Sequence, residues 1–251
     1  GVMAALFYCF SPIQFRFTHL ARPYSILMVT VLLSYGALLE VLKKPDKRKL
    51  FWYYLATTIM IYVHPTSVFN VAAQGLIILW NKRKDFRQIL LLSVSLAGAV
   101  FSFGVWVVSI PYFERNDTMW FGPPNWEDIK YVLLAFYSSK WIVFAQVAIL
   151  ALLLNQWRKS KPKKEVGNML LIAIWALVPF VISIVFSLLL KPVFQDKYIL
   201  SVQPAMMLLL AYSIYQLKGK PIKTVGFGLT FVLLLGAMDT TRNPEGDWRK
   251  A

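Results

Sequence analysis

Long apolar runs separated by short polar breaks make up most of this sequence. The runs are rich in Leu, Val, Ile, Phe and Ala and carry almost no charge, which is typical of segments that lie in hydrocarbon rather than in water. Since a helix satisfies its own backbone hydrogen bonds in lipid, each run predicts a helix. The predicted segments are Val2 to Phe15, Tyr24 to Leu42, Phe51 to Val63, Thr66 to Trp80, Gln88 to Ile110, Trp141 to Trp157, Asn168 to Leu190, Tyr198 to Leu217 and Thr224 to Met238.

Two neighbouring runs are too short to cross a bilayer singly. Phe51 to Val63 and Thr66 to Trp80 each give roughly 20 Å of helix, against a hydrocarbon core of about 30 Å. They form either one long kinked helix or a hairpin with its tip at His64. The long helix would put the basic loops at its two ends on opposite sides of the membrane, against the usual charge bias. Since Pro65 also disfavours helix at His64, we predict the hairpin.

Composition supports an all-α fold, a polytopic transmembrane helical bundle of nine segments. Of the 251 residues, 58% are hydrophobic and 16% charged, and the mean hydropathy is +0.56. A soluble domain of this length needs more polar surface than that. The chain is therefore predicted to be an integral membrane protein.

The net charge of +15 is unevenly distributed. Four breaks hold 17 of the 27 basic residues and, with flanking acids, a net charge of +13; they are Lys43 to Lys49, Lys82 to Arg87, Arg158 to Lys164 and Lys218 to Lys223. Such a bias marks cytoplasmic loops and explains the basic charge without a nucleic-acid partner. The remaining breaks are expected on the outer side.

Both ends of the sequence lie close to apolar segments, so we expect a fragment of a longer protein. Residues 1–238 are predicted to be the transmembrane domain, and residues 239–251 the start of an extracytoplasmic segment. Cys9 is the only cysteine, which excludes an internal disulfide and a cysteine metal site. No metal-binding or nucleotide-binding motif is present, so no metal site or cofactor is predicted, and a need for a divalent metal stays open.

The longest polar break runs from Pro111 to Lys140 and offers acid-base chemistry as one alternative. Its acids are Glu114, Asp117, Glu127 and Asp128. They suit a general base or metal ligands, but acids in a polar loop are more often only solvated, and their spacing matches no metal motif. Within this break, Trp126 to Tyr137 is predicted to be an amphipathic helix on the membrane surface.

Basic residues on the expected outer side need a separate explanation. Donors gathered at one membrane boundary suit an anionic headgroup such as a lipid phosphate. The alternative is that each cation snorkels to the interface with no ligand, and we favour this for Arg16, Lys191, Lys130 and Lys140. The outer basic residues are Arg16, His19, Arg22, His64, Lys191 and Lys197.

One stretch carries a resemblance to a known family. Ser11-Pro12, followed by His19-Leu20-Ala21-Arg22-Pro23-Tyr24-Ser25, resembles a pattern of polytopic lipid-linked glycosyltransferases. These are the relatives of protein mannosyltransferases and aminoarabinose transferases, with the C-type glycosyltransferase fold. The family often has an acid before Ala-Arg, where this sequence has His19-Leu20.

Three further stretches are similar to the same family, in the same order along the chain. Tyr62-Val63-His64 resembles a Tyr-x-His at a hairpin tip. Asp196-Lys197-Tyr198-Ile199-Leu200, followed by Pro204-Ala205, resembles an Arg-Tyr-Leu and Pro-Ala stretch with Lys in place of Arg. Asp247-Trp248-Arg249 resembles a motif found after the last spans.

The resemblance implies transfer of a sugar from a polyprenyl-phosphate carrier to an extracytoplasmic acceptor, at a bacterial or archaeal plasma membrane. Membrane lipid, the lipid-linked sugar and the acceptor are then the partners. The implied donor-phosphate ligands are Arg22, His64 and Lys197, supported by His19, Tyr24 and Tyr198. The family's catalytic Asp would precede everything present here, so the catalytic residue is unknown and this fragment alone is expected to be inactive.

Two other functions remain open at this point. A transporter or flippase for a lipid-linked or anionic substrate would share the outer basic residues. No Asp or Glu lies in the middle of a predicted segment, however, and ion-coupled transport usually needs one. The third possibility is a non-catalytic subunit of a membrane complex.

Overall fold

The computed structural model describes residues 1–18, 23–109, 122–160 and 162–238. These ranges form α-helices joined by short turns, with no strand among them, so the prediction of an all-α protein is confirmed for the described part of the chain. The helices are α1 (Val2–Cys9), α2 (Pro12–Thr18), α3 (Tyr24–Lys43), α4 (Lys47–Val63), α5 (Val68–Lys82), α6 (Phe86–Ser109), α7 (Trp126–Tyr137), α8 (Lys140–Ser160), α9 (Lys163–Leu189), α10 (Gln203–Gln216) and α11 (Lys220–Ala237).

Five of these helices are long and apolar enough to cross a membrane: α3, α6, α8, α9 and α11. Their outward surfaces carry many exposed Leu, Val, Ile and Phe side chains, as expected for helices that face lipid. Helices α4, α5 and α10 have 17, 15 and 14 residues, shorter than a full span. The chain is thus an all-helical protein with five candidate membrane-spanning helices among the described residues, and nine segments remain a prediction.

The first predicted segment, Val2 to Phe15, is divided in the structure. Helix α1 ends at Cys9 and α2 begins at Pro12. Pro12 has no backbone N–H and disfavours helix at Ser11, so the chain breaks there although the apolar pattern continues. The prediction of one continuous segment was therefore wrong.

The predicted segment from Tyr198 to Leu217 begins later than expected. Residues 195–199 form a turn, Leu200–Val202 is a short 3₁₀ turn, and α10 begins at Gln203 with Pro204 in its first helical turn. Proline is favoured in that position because its missing N–H would have no partner there. Lys197 and Tyr198 consequently lie in a loop instead of opening a helix.

The predicted hairpin at His64 is confirmed. The backbone of His64 is extended (φ −151°, ψ 118°), a 3₁₀ turn covers Pro65–Ser67, and α5 then begins. The hydroxyl of Tyr53 on α4 donates to Oε1 of Gln74 on α5 at 3.0 Å. Since these residues lie about equally far from His64 along the chain, α4 and α5 run antiparallel. We call the end of the bundle with this turn the His64 end, and the end with the basic loops the basic end.

Hydrogen bonds between neutral side chains hold the hairpin against α3. Gln74 Nε2 donates to Ser34 Oγ at 2.7 Å, and Ser34 Oγ lies 2.9 Å from Thr57 Oγ1. Together with Tyr53, all four side chains are fully buried. In hydrocarbon such groups can be satisfied only by one another, so this polar cluster fixes the positions of three helices.

A second chain of hydrogen bonds continues toward the His64 end. The hydroxyl of Tyr35 lies 3.4 Å from Asn70 Oδ1, and Asn70 Nδ2 donates to Ser201 Oγ at 2.9 Å. Trp175 of α9 stacks on the ring of Tyr35 with 3.9 Å between centroids. These contacts connect α3 and α5 to the turn that precedes α10, and so align the parts of the chain that meet at the His64 end.

We predict that Gln74→Ala destabilises the protein. The substitution removes one partner each from the buried Tyr53 and Ser34 hydroxyls, which we expect to lower the free energy of unfolding by about 1–2 kcal/mol. Unfolding of the purified protein in dodecyl sulfate, followed by circular dichroism, measures the change. Asn155→Ala on the exposed side of α8 is the matched control. Equal stability of the two variants would contradict the prediction.

Candidate functional site

Four of the predicted site residues lie together at the His64 end. Tyr24 opens α3, His64 is in the hairpin turn, and Lys197 and Tyr198 are in the turn formed by residues 195–199. Ring centroids are 6.3 Å apart for Tyr24 and His64, and 5.8 Å apart for His64 and Tyr198. Lys197 Nζ is 5.3 Å from the centroid of the Tyr198 ring. We call these four residues the outer cluster.

The other two predicted site residues, His19 and Arg22, lie outside the described residues. Arg22 precedes Tyr24 by two positions along the chain. Tyr24 itself is buried and contacts Phe17 of α2 edge to face, with 5.0 Å between centroids. The start of α3 is thereby held against α2 on one side and against the hairpin turn on the other.

Thr66 joins two turns of the outer cluster, and sequence analysis did not single it out. Its hydroxyl donates to the backbone carbonyl of Tyr198, and the same oxygen lies 2.7 Å from Nδ1 of His64. The only sequence signal is its position two residues after His64, where Thr commonly bonds back within a turn. The bond to Tyr198 is a long-range contact that no local pattern predicts.

His64 is neutral at physiological pH. Burial lowers the pKa of its imidazole to about 4, because the charged form is poorly solvated in the turn. Among the four residues of the outer cluster, the positive charge at neutral pH therefore belongs to Lys197. The phosphate-binding role predicted for His64 stays a prediction.

Arg16 is held in an ion pair and does not simply extend to the interface. Its Nη2 lies 2.7 Å from Asp196 Oδ2, and its Nη1 donates to the Tyr131 hydroxyl at 3.2 Å. Burial alone would lower the pKa of Arg16, but the hydrogen bond that Arg16 donates to Tyr131 and the charge of Asp196 raise it. Our snorkelling interpretation of Arg16 was therefore wrong. Lys191, by contrast, is exposed in the loop after α9.

Asp196 positions the neighbouring residues of the outer cluster. One carboxylate oxygen accepts from Arg16, and the other accepts the backbone N–H of Lys197 at 2.8 Å. Tyr131 belongs to α7, so one short network connects α2, α7 and the turn of residues 195–199. This network holds the turn with Lys197 and Tyr198 against α2 and α7.

The acids of the long polar break have structural partners where the structure describes them. Helix α7 spans Trp126–Tyr137, as predicted, and Asn125 and Asp128 cap its first turn reciprocally. Glu127 pairs with Lys130 at 3.0 Å on the surface. Glu114 and Asp117 lie outside the described residues. Within the described ranges no three His, Cys, Asp or Glu side chains come together as a metal site would require.

Comparison of the chain with protein-family models, with curated proteins and with solved structures gives no match.

We predict that Arg16→Met lowers the free energy of unfolding, because it leaves Asp196 without its ion-pair partner. The substitution leaves the carboxylate of Asp196, which is only 7% exposed, without its counter-charge. Because Arg16 is partly exposed, we expect a loss of about 2–3 kcal/mol, at or below the lower end for a broken buried pair. Lys130→Met is the matched control: its pair with Glu127 is exposed, so that loss should stay within about 0.5 kcal/mol.

Detergent unfolding of the single variants and of Arg16→Met with Asp196→Leu measures the coupling. The double variant should recover part of the loss, since no unpaired charge remains buried. Losses that simply add would show that the two side chains do not interact.

We also predict that acid weakens the fold through His64. The unfolded imidazole takes up a proton near pH 6.5, whereas the folded one does so only near pH 4. The stabilisation is therefore complete above pH 6.5, declines as pH falls, and is lost below pH 4, a change of up to about 3 kcal/mol. Unfolding measured from pH 7.5 to 4 should show a shallower decline in His64→Gln than in the wild type. His19→Gln, at the only other histidine of this sequence, is the control. Parallel curves for wild type and His64→Gln would contradict the prediction.

Proposed function

We propose that this chain is part of an integral-membrane glycosyltransferase that moves a sugar from a polyprenyl-phosphate carrier to an extracytoplasmic acceptor. The observation that supports this most strongly is the outer cluster. Tyr24, His64 and the pair Lys197-Tyr198 come from three of the stretches that resemble the family, and they are distant along the chain. The ring of His64 nevertheless lies close to both tyrosines, with centroid distances of 6.3 Å to Tyr24 and 5.8 Å to Tyr198.

Lys197 and Arg22 bind the donor phosphate in this proposal. In the reaction the bond between the sugar anomeric carbon and the phosphate oxygen breaks, and a bond from that carbon to the acceptor oxygen forms. The acceptor proton passes to a base, and polyprenyl phosphate leaves. An ammonium or guanidinium group beside the phosphate stabilises the negative charge that develops on it. Tyr24 and Tyr198 flank the site, and the base is not assigned to a residue.

The proposed topology places the outer cluster outside the cell, at a bacterial or archaeal plasma membrane. The basic end, with its net charge of +13, then faces the cytoplasm as the positive-inside bias favours. The short helices α4, α5 and α10, together with the α1–α2 pair, complete nine segments beside the five candidate spans. A C-type glycosyltransferase arrangement is part of the same proposal.

We predict that Lys197→Met reduces sugar transfer by the full-length protein about tenfold or more, since it removes a charge that stabilises the leaving phosphate. Radiolabelled transfer from polyprenyl-phosphate sugars in liposomes measures this. Lys191→Met is the matched control, because it removes an exposed charge from the same loop and should leave transfer unchanged. Arg22→Ala should behave like Lys197→Met.

Three results would count against the proposal. Full activity in Lys197→Met would remove that residue from the site. Movement of the lipid-linked sugar across the bilayer with no bond made would favour the transporter or flippase. No transfer from any donor by folded, inserted protein would favour a non-catalytic subunit.

A further inference from the structure

The Thr66 hydroxyl determines which nitrogen of His64 carries a proton. Thr66 Oγ1 is in hydrogen-bond contact with the backbone carbonyl of Tyr198 and with Nδ1 of His64. A carbonyl oxygen only accepts, so the single hydroxyl proton of Thr66 points to Tyr198. Toward His64 the same oxygen is then an acceptor, and Nδ1 must donate. This contact therefore selects the tautomer of His64 with its proton on Nδ1.

In this tautomer Nε2 of His64 has a lone pair and no proton. Burial, which lowers the pKa of His64 to about 4, keeps the ring in this neutral form. Within the described part of the chain no side chain or backbone group forms a hydrogen bond with Nε2. Nε2 is also not one of the fully buried side-chain atoms that lack a partner, so it has contact with solvent. The outer cluster thus presents a hydrogen-bond acceptor that a ligand can reach.

The groups around His64 do not favour its charged form. Tyr24 from α3 and Tyr198 from the turn of residues 195–199 flank the ring, and Lys197 adds a positive charge beside Tyr198. The carboxylate of that turn, Asp196, already accepts from Arg16 and from the backbone of Lys197. No uncommitted acid of the turn is left to stabilise an imidazolium.

We propose that Nε2 of His64 accepts a hydrogen bond from a saccharide hydroxyl, next to the phosphate bound by Lys197; this rests on the proposed function. A phosphodiester presents only acceptor oxygens at neutral pH, and these repel the lone pair of Nε2. A sugar hydroxyl donates, and so complements it. His64 is then a group that orients the saccharide, in place of the phosphate ligand implied by the family resemblance.

The tautomer is tested first, independently of the proposed function. Nitrogen-15 NMR of the histidine-labelled, full-length protein in lipid nanodiscs at pH 7 reports the protonation of each ring nitrogen, and the signal lost in His64→Gln assigns it. We expect a protonated Nδ1 and an unprotonated Nε2. Thr66→Ser should keep this pattern, whereas Thr66→Val, which removes the acceptor, should move proton density to Nε2. A protonated Nε2 in the wild type would overturn the inference.

The ligand is tested with two phosphodiester probes, a short-chain prenyl phosphate esterified to a hexose and the same prenyl phosphate esterified to methanol, which we call the plain phosphate. We expect the glycosylated probe to shift the Nε2 resonance and the plain phosphate to leave it in place. His64→Phe should lower the affinity for the glycosylated probe about tenfold and the affinity for the plain phosphate less than twofold, as loss of one hydrogen bond predicts. Lys197→Met should lower the affinity for both probes.

The remaining outcomes separate the two proposals. If the plain phosphate shifts Nε2 as far as the glycosylated probe does, His64 is a phosphate ligand and the inference fails. If neither probe binds, the proposed function and the saccharide role both fail, while the tautomer is decided by the first experiment. A shift that appears only with an added acceptor, and not with the donor sugar, would overturn the assignment of this hydroxyl to the donor saccharide.

Discussion

A polar side chain inside a hydrocarbon-embedded bundle has no water to bond with, and the rest of this structure depends on how that constraint is met. Gln74 meets it by bonding to Tyr53 on the preceding helix and Ser34 on α3. A single amide thereby fixes both the antiparallel course of the hairpin and its position against α3. Because the hairpin is fixed at its middle, its tip with His64 is carried to one defined place, between Tyr24 and Tyr198.

Much of the fold was predictable because one physical signal dominates the sequence. Apolar runs identify helices, and Pro65 located the hairpin tip within them. Prediction failed where the apolar pattern and the backbone disagree. Pro12 interrupts the helix within a run that remains apolar. Helix α10 begins at Gln203, beside Pro204, and so starts after Tyr198. Both errors concern where a helix begins, which periodicity determines poorly, since a proline acts on its immediate neighbours and leaves the pattern of hydrophobicity unchanged.

The candidate site was predictable to a lesser degree. The predicted topology put the residues of the outer cluster at one end of the bundle, because each follows or precedes a predicted span, and in the structure they meet there. It could not pair Arg16 with Asp196, which lies 180 positions away and meets it only after α2 and the loop after α9 are packed. Snorkelling is a property of a single side chain, whereas an ion pair is a property of the tertiary structure. The tautomer of His64 likewise depends on Thr66 and a distant carbonyl, beyond any local motif.

The buried polar groups around Gln74 and those at the His64 end differ in how completely they are hydrogen-bonded, and this difference bears on ligand binding. In the buried cluster around Gln74, every side-chain polar atom has a hydrogen-bond partner. At the His64 end, several buried polar atoms of the described residues have none, among them Ser67 Oγ, Arg16 Nε and both amide atoms of Gln203. Such atoms weaken a fold unless something else stabilises it, and here the cluster around Gln74 stabilises the packing of α3, α4 and α5. The stability supplied there allows the His64 end to keep donors and acceptors uncommitted, as a site for a polar ligand requires.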